Sequence, residues 1–196
     1  MLELNDPRPH GARGFTLIEV LVAIVVLSFG LLGMVGLQSA SLKANREARL
    51  QATAVRMAAE IGDIMRGNKS VSIGTVAANN PYLVANFTGT VPTASPDCFS
   101  APCTTPTQVA QADIADWLTR VRDDLRGARV VICFDATPFD SAGKPQWACS
   151  NSGGVVNVKI GWTRGSTNRA ASDATAFELA TAFPPSVVLP VTVGNN

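Results

Sequence analysis

The sequence predicts an α+β fold: a long N-terminal α-helix, membrane-spanning in its first half, packed against a small antiparallel β-sheet domain with a second helix. Three observations predict it. Residues 15–37 are apolar or small apart from Glu19, Thr16 and Ser28. Beyond them an apolar stripe at helical spacing continues to about Arg66. The later half of the chain then holds short apolar and alternating runs, the clearest being Val156, Val158, Ile160 and Trp162 with Asn157, Lys159 and Gly161 between them.

In chain order, residues 1–14 are a polar leader containing Pro7 and Pro9, which argue against a helix there. In an ordinary secretory signal the apolar stretch precedes the cleavage site; here the only good site precedes the apolar stretch, so the anchor is expected to stay on the mature protein.

Residues 15–37 have about the 20-residue length that crosses a bilayer, and between Val20 and Leu37 only Ser28 is polar. A soluble core helix of that length would show a polar face. The carboxylate of Glu19 is the informative exception, because a charge in hydrocarbon costs on the order of 2.5 to 3.5 kcal/mol and calls for compensation. Gly30, Gly33 and Gly36 recur on one side, which suits close helix packing and equally suits a locally loosened helix.

Residues 38–67 continue the helix without proline. Leu50, Ala54, Met57, Ala58, Ile61, Ile64 and Met65 form its apolar stripe, with Arg49, Arg56, Glu60 and Asp63 off it. Gly67 and Asn68 mark its end, and a helix from Phe15 to Gly67 would be roughly 80 Å long at 1.5 Å per residue.

Residues 68–196 are expected to form the globular part. Residues 69–107 carry five prolines among small polar residues and read as loop, with a short strand near Tyr82 to Phe87. A connection of that length is long for a compact domain, and such loops are often either functional or mobile. Residues 108–126 read as a helix whose apolar face is Ile114, Trp117, Leu118, Val121 and Leu125. Its Asp113 and Asp116 read as a solvated face, not a catalytic carboxylate pair. Strands are expected at residues 130–134, at 156–162 as a half-buried strand, at 177–183, and at 187–193 across Pro190.

Cys98, Cys103, Cys133 and Cys149 are an even set in a domain that lies beyond a membrane anchor, so disulfides are expected. Three connectivities are open. Cys98 with Cys103 and Cys133 with Cys149 is favoured, because the first pair spans a short loop and the second brackets a turn-rich segment. A structural zinc site of four thiolates is the rival, with poor spacing in its second pair.

Composition narrows the function classes. The 196-residue chain has a formal net charge of +1, which gives no general reason to expect nucleic-acid binding. Its one histidine, His10, lies in the leader, so the remainder has no imidazole for a Ser-His-Asp or Cys-His system or for a His-ligated metal. Nucleophile-elbow, phosphate-loop and dinucleotide-binding patterns are missing as well. No catalytic residue, cofactor or metal is expected.

The run Gly14-Phe15-Thr16-Leu17-Ile18-Glu19, preceded by Arg13, resembles the type IV pilin-like family, whose members carry a short polar leader ending in Gly, then Phe-Thr-Leu-Ile-Glu and an apolar helix. The resemblance implies that a prepilin peptidase cuts between Gly14 and Phe15 and that the new amino terminus of Phe15 is methylated. It implies a bacterial inner-membrane protein whose C-terminal domain lies in the periplasm and later reaches the cell surface. It also implies partners: other minor pilins, the major pilin, the peptidase, the inner-membrane assembly platform and the lipid bilayer. The leader's place on the cytoplasmic side rests on the family. Arg8 and Arg13 before the helix are balanced by Lys43, Arg46 and Arg49 after it, so charge bias does not set the orientation.

Cleavage would create a cationic amine on Phe15. In a helical filament, Glu19 of one subunit would lie against the Phe15 amine of the next, each offsetting the other's desolvation. The layout within the family looks most like a minor pilin. A type II secretion pseudopilin would share everything up to about Gly67. A membrane-anchored binding module is the reading from a different class, against which stand the Gly14–Phe15 junction and a carboxylate at that spacing.

Overall fold

A computed structural model describes residues 14–94, 97–166, 172 and 176–194. Of the expected leader, residues 1–14, all but Gly14 lie outside the described residues, His10 included. The chain divides into two compact units, Met1–Arg46 and Glu47–Asn196.

One helix, α1 (Leu17–Gly67), contributes to both. It runs through Gly30, Gly33 and Gly36 as unbroken α-helix, with open space where a Cβ on any of the three would stand. In the first unit every described side chain is exposed, large apolar ones included. Ser28 does not leave a polar group unpartnered there: its hydroxyl donates to the Ile24 carbonyl at 2.7 Å, one turn back.

In the second unit α1 buries Ala54, Met57, Ala58, Ile61, Gly62 and Met65, with Leu50 and Ile64 partly covered. These are the positions that the helical spacing places on one side, plus Gly62. That glycine is required by proximity: a Cβ on it would stand 2.8 Å from Val191 Cγ1. A single extra turn, α2 (Lys69–Ser72), follows directly, where the sequence reads as loop.

Helix α3 (Pro106–Asp124) begins two residues before the expected Gln108. Thr105 caps it by accepting the Gln108 N–H at 3.2 Å, and the Gln108 side chain accepts the Thr105 N–H at 3.2 Å. Pro106 stands in the first turn, where its missing N–H costs nothing. Ala110, Ile114, Trp117, Leu118 and Val121 are buried. Trp117 Nε1–H donates to the Met57 carbonyl at 3.0 Å, and Arg120 pairs with Glu60 at 2.7 Å, so α3 is tied to α1 both inside the core and at its rim.

The main sheet has order β1-β2-β3-β6, antiparallel throughout: β1 (Val84–Phe87), β2 (Arg129–Phe134), β3 (Val156–Gly161) and β6 (Val187–Val191), joined in chain order by the small pair β4 (Arg164–Gly165) and β5 (Phe177–Glu178). The turn into β2 uses Gly127 at φ +62, where a side chain would also collide with Thr163. Pro190 is tolerated because β6 is an outer strand of the sheet, with β3 its only partner there. The third expected strand, residues 177–183, survives only as β5: after Leu179 the chain turns, with Ala182 and Phe183 N–H donating to the Leu179 carbonyl.

Strand β3 is not half-buried but buried along its whole length. Val156, Val158 and Ile160 join the core that contains α1 and α3. The other face is covered by the segment after β2, which Cys133–Cys149 ties back with Cα atoms 6.4 Å apart. Lys159 therefore meets Asp135 and the Ala148 carbonyl, each at 2.6 Å, and Asn157 donates to the Asp135 carbonyl at 2.9 Å. The second disulfide, Cys98–Cys103, closes a short loop ahead of α3 with Cα atoms 5.2 Å apart.

Candidate functional site

The start of α1 is organised by Thr16. Its Oγ1 accepts the Glu19 N–H at 3.3 Å, and its carbonyl accepts the N–H groups of Glu19 at 3.1 Å and Val20 at 3.3 Å. Thr16 is thus the N-cap and Glu19 the third helical residue, the Thr-x-x-Glu pattern of a capping box. That pattern is readable in the sequence, and it supplies a local reason for the acid's position: a carboxylate in the first turn is stabilised by the helix dipole. Phe15 stands just outside the helix, 82% exposed. Among the described residues Glu19 has no ion-pair partner. From Leu17 onward α1 is long and apolar enough to cross a membrane, and its most apolar window has no buried residue.

The second unit has a separate open groove of about 560 Å³, lined by Ile64, Gly67, Asn68, Pro106, Val109 and Asp113, with Cys103 to Thr105 on its rim. Below it Tyr82 is fully buried. Its hydroxyl donates to Asp113 at 2.9 Å, and Asn68 donates to that hydroxyl at 3.3 Å and to the Pro106 carbonyl at 2.7 Å. Burial pushes the Tyr82 hydroxyl well above the ordinary phenol value; Asn68 opposes this and the Asp113 carboxylate reinforces it. The phenol is a permanent donor that locks the loop after α1 to α3, not an acid–base group.

Among the described residues, the other carboxylate and cysteine clusters are already engaged. Asp113 is engaged by Tyr82 and Asp116 by Arg120 at 3.1 Å, so they do not act as a carboxylate pair. Cys133, Asp135 and Cys149 come within 4.8 Å of one another, but the sulfurs are bonded to each other and the carboxylate is held by Lys159. No thiolate is left there for a metal. Burial would raise the Asp135 carboxyl, yet the hydrogen bonds from Lys159, Ser150 and Thr137 outweigh it and hold the group below its ordinary range.

Residues 9–35 match the family model described as the prokaryotic N-terminal methylation motif. The matched span includes Gly14, Phe15 and Glu19 and most of the apolar run, and it supports a type IV pilin-like or pseudopilin protein anchored through its N-terminal helix. No curated protein matches the chain, and no solved structure does.

Proposed function

We propose that the chain is a minor pilin, a structural and non-enzymatic subunit that helps prime or modify assembly of the type IV pilus. Its layout is most like that of the minor pilin PilV, the type IV pilus modification protein. The features that suggest it are the opening run from Gly14 to Ala23, the early cysteine pair before an Asp-Trp helix at Asp113 to Leu118, the strand cysteine Cys133 and the Val158 to Trp162 strand. Consequences for twitching and adhesion follow from that role.

One observation carries the reading: a lone carboxylate, Glu19, in the first turn of a helix whose first half is otherwise uncharged, largely apolar and exposed, and which begins just after Gly14–Phe15 inside the methylation motif. In the proposed sequence of events residues 1–14 are removed by the prepilin peptidase and Phe15 becomes the methylated first residue. Residues 15–37 hold the subunit in the inner membrane and later line the filament core. Residues 38–67 carry the helix into the periplasm, where residues 68–196 form the pilin-like domain. Glu19 then pairs with the Phe15 amine of a neighbouring subunit, since two desolvated charges are stabilised only together. Other minor pilins, the major pilin and the assembly platform are the partners.

The test is amino-terminal sequencing and intact mass of protein recovered from sheared surface fibres. A start at methylated Phe15 is expected. Fibre protein that retains the first fourteen residues would overturn the reading. The type II secretion pseudopilin shares the same N-terminal physics, and a deletion strain separates the two: loss of pili supports the first, loss of secretion with intact pili the second.

A further inference from the structure

Apolar residues dominate the first unit of α1, and its charges stand only at the two ends. No Asp, Glu, Lys or Arg lies between Glu19 and Lys43, and Arg46 follows Lys43 by about one turn. Both cations are exposed, and among the described residues neither makes an ion pair. At 1.5 Å per residue Lys43 lies about 36 Å and Arg46 about 40 Å along the helix from Glu19. A hydrocarbon core is about 30 Å thick, and about 40–45 Å with its headgroup layers. If Glu19 sits at one boundary of the hydrocarbon, the opposite headgroup layer lies about 30 to 37 Å along the helix, so Lys43 stands at its outer edge and Arg46 a few ångströms beyond it, within side-chain reach. Their flexible stems can follow the helix while the charged ends reach phosphate.

These positions also bear on the charge balance across the membrane. Cations on the translocated flank of a first span oppose the usual bias of Lys and Arg toward the cytoplasm. A pair placed there against that bias, in no ion pair among the described residues although Glu47 is adjacent, points to a ligand in the leaflet itself.

We propose that Lys43 and Arg46 form a headgroup site for anionic phospholipid, which holds the unassembled subunit at fixed depth in the leaflet on the side of the folded domain. The inference rests on the membrane-anchored reading above. Arg46 supplies a planar fork that can hold one phosphate through two N–H groups, and Lys43 adds a point charge one turn away. Each cation near an anionic surface is worth about a five-fold preference, so the pair gives roughly twenty-fold over a zwitterionic lipid at low salt.

The experiment uses the full chain in nanodiscs of equimolar phosphatidylglycerol and phosphatidylcholine, with the lipid retained on the released protein quantified by native mass spectrometry. The wild type should retain phosphatidylglycerol by about ten-fold or more, falling as salt rises from 50 to 500 mM. The K43Q/R46Q variant should retain the two lipids equally, and K43R should keep the preference. Equal retention by the wild type, or an unchanged preference in K43Q/R46Q, would overturn the lipid site while leaving the anchor intact. Displacement of the lipid by inorganic phosphate beyond the effect of chloride at matched ionic strength would reassign the site to a free anion and overturn it as well. A wild-type chain that fails to enter nanodiscs at all would instead sink the anchored reading, and the site with it.

Discussion

Lys159 Nζ lies 2.6 Å from Asp135 Oδ2, with both side chains at 0% exposure, in the centre of a strand whose alternating pattern points that lysine to solvent. The ammonium has two further consequences. It reaches the Ala148 carbonyl, so it fastens the covering segment to the sheet; and its partner Asp135 also accepts the Thr137 and Ser150 N–H groups, so the loop's backbone is built around the ion pair. Removing one charge strands the other in a dry site. Lys159→Met is therefore expected to lower stability by about 3–5 kcal/mol, while Lys159→Met with Asp135→Leu recovers most of it. Urea unfolding of the three full-length proteins in detergent decides this; a single variant as stable as wild type would contradict it.

The same pair sets an acid limit. Asp135 in the folded chain is held below its ordinary value of 3.8, so its contribution is fully present above that value and is lost as pH falls through the lower, folded one. Stability should therefore hold from pH 7 to about pH 5 and decline below pH 4. Urea midpoints measured from pH 7 to pH 2.5 should show a smaller acid decline in the Lys159→Met, Asp135→Leu protein. Identical acid slopes in the two would show that other carboxylates carry the effect.

Gly62 is a contact, not a hinge. A methyl group there would meet Val191 Cγ1 at 2.8 Å and Cβ at 3.1 Å, across the seam between α1 and the outer strand β6. Gly62→Ala gains helix propensity by about 1 kcal/mol but overpacks the seam by about 1–3 kcal/mol, so a net loss is expected. Combining it with Val191→Ala should cost less than the sum of the two single changes, because each relieves the other. Additive losses in thermal unfolding would place the strain elsewhere.

At the start of α3, Thr105 and Gln108 satisfy each other's backbone N–H groups, and Asn68 binds the Pro106 carbonyl beside them. Thr105→Ala should cost about 1 kcal/mol, and Thr105→Ser should be nearly silent. Equal losses in the two variants would mean that the threonine methyl, not the cap, matters at this site.

These residues show what the sequence revealed and what it hid. Met57, Ile61 and Met65 recur at helical spacing, and such a stripe has one physical use, so the buried face of α1 was legible. The alternation of Val156, Val158 and Ile160 revealed a strand and its core face. It could not reveal the other face, because a polar residue opposite the core reads the same whether water or a loop covers it; Asp135, 24 positions before Lys159, decides that. Pro106 read as loop because proline excludes the helix interior, although proline in a first turn behind Thr105 is a start signal. Phe177 to Phe183 alternates as β3 does, but the turn at Leu179 intervenes. At the N-terminal site, the residues of the Gly14–Glu19 run were legible as a motif, and the Thr16 cap was there to be read. The groove beside Asn68 and Asp113 was not, since it exists only once Tyr82 joins the loop to α3.

Glu19 separates its two jobs by substitution. As the third residue of a capped helix it adds a few tenths to about 1 kcal/mol through the dipole, a contribution that Glu19→Gln loses only in part and that the long apolar helix does not need. As a charge partner for a neighbouring amine it has no substitute, because a neutral side chain leaves that amine unpaired in an apolar filament core at about 3–5 kcal/mol. Glu19→Gln and Glu19→Ala should therefore insert and lose residues 1–14 like the wild type, while incorporation into fibres falls by about two to three and a half orders of magnitude. Membrane fractionation, intact mass and quantitative blotting of sheared fibres measure the three steps separately. Normal incorporation of either variant would show that the carboxylate serves the helix start and not its neighbour.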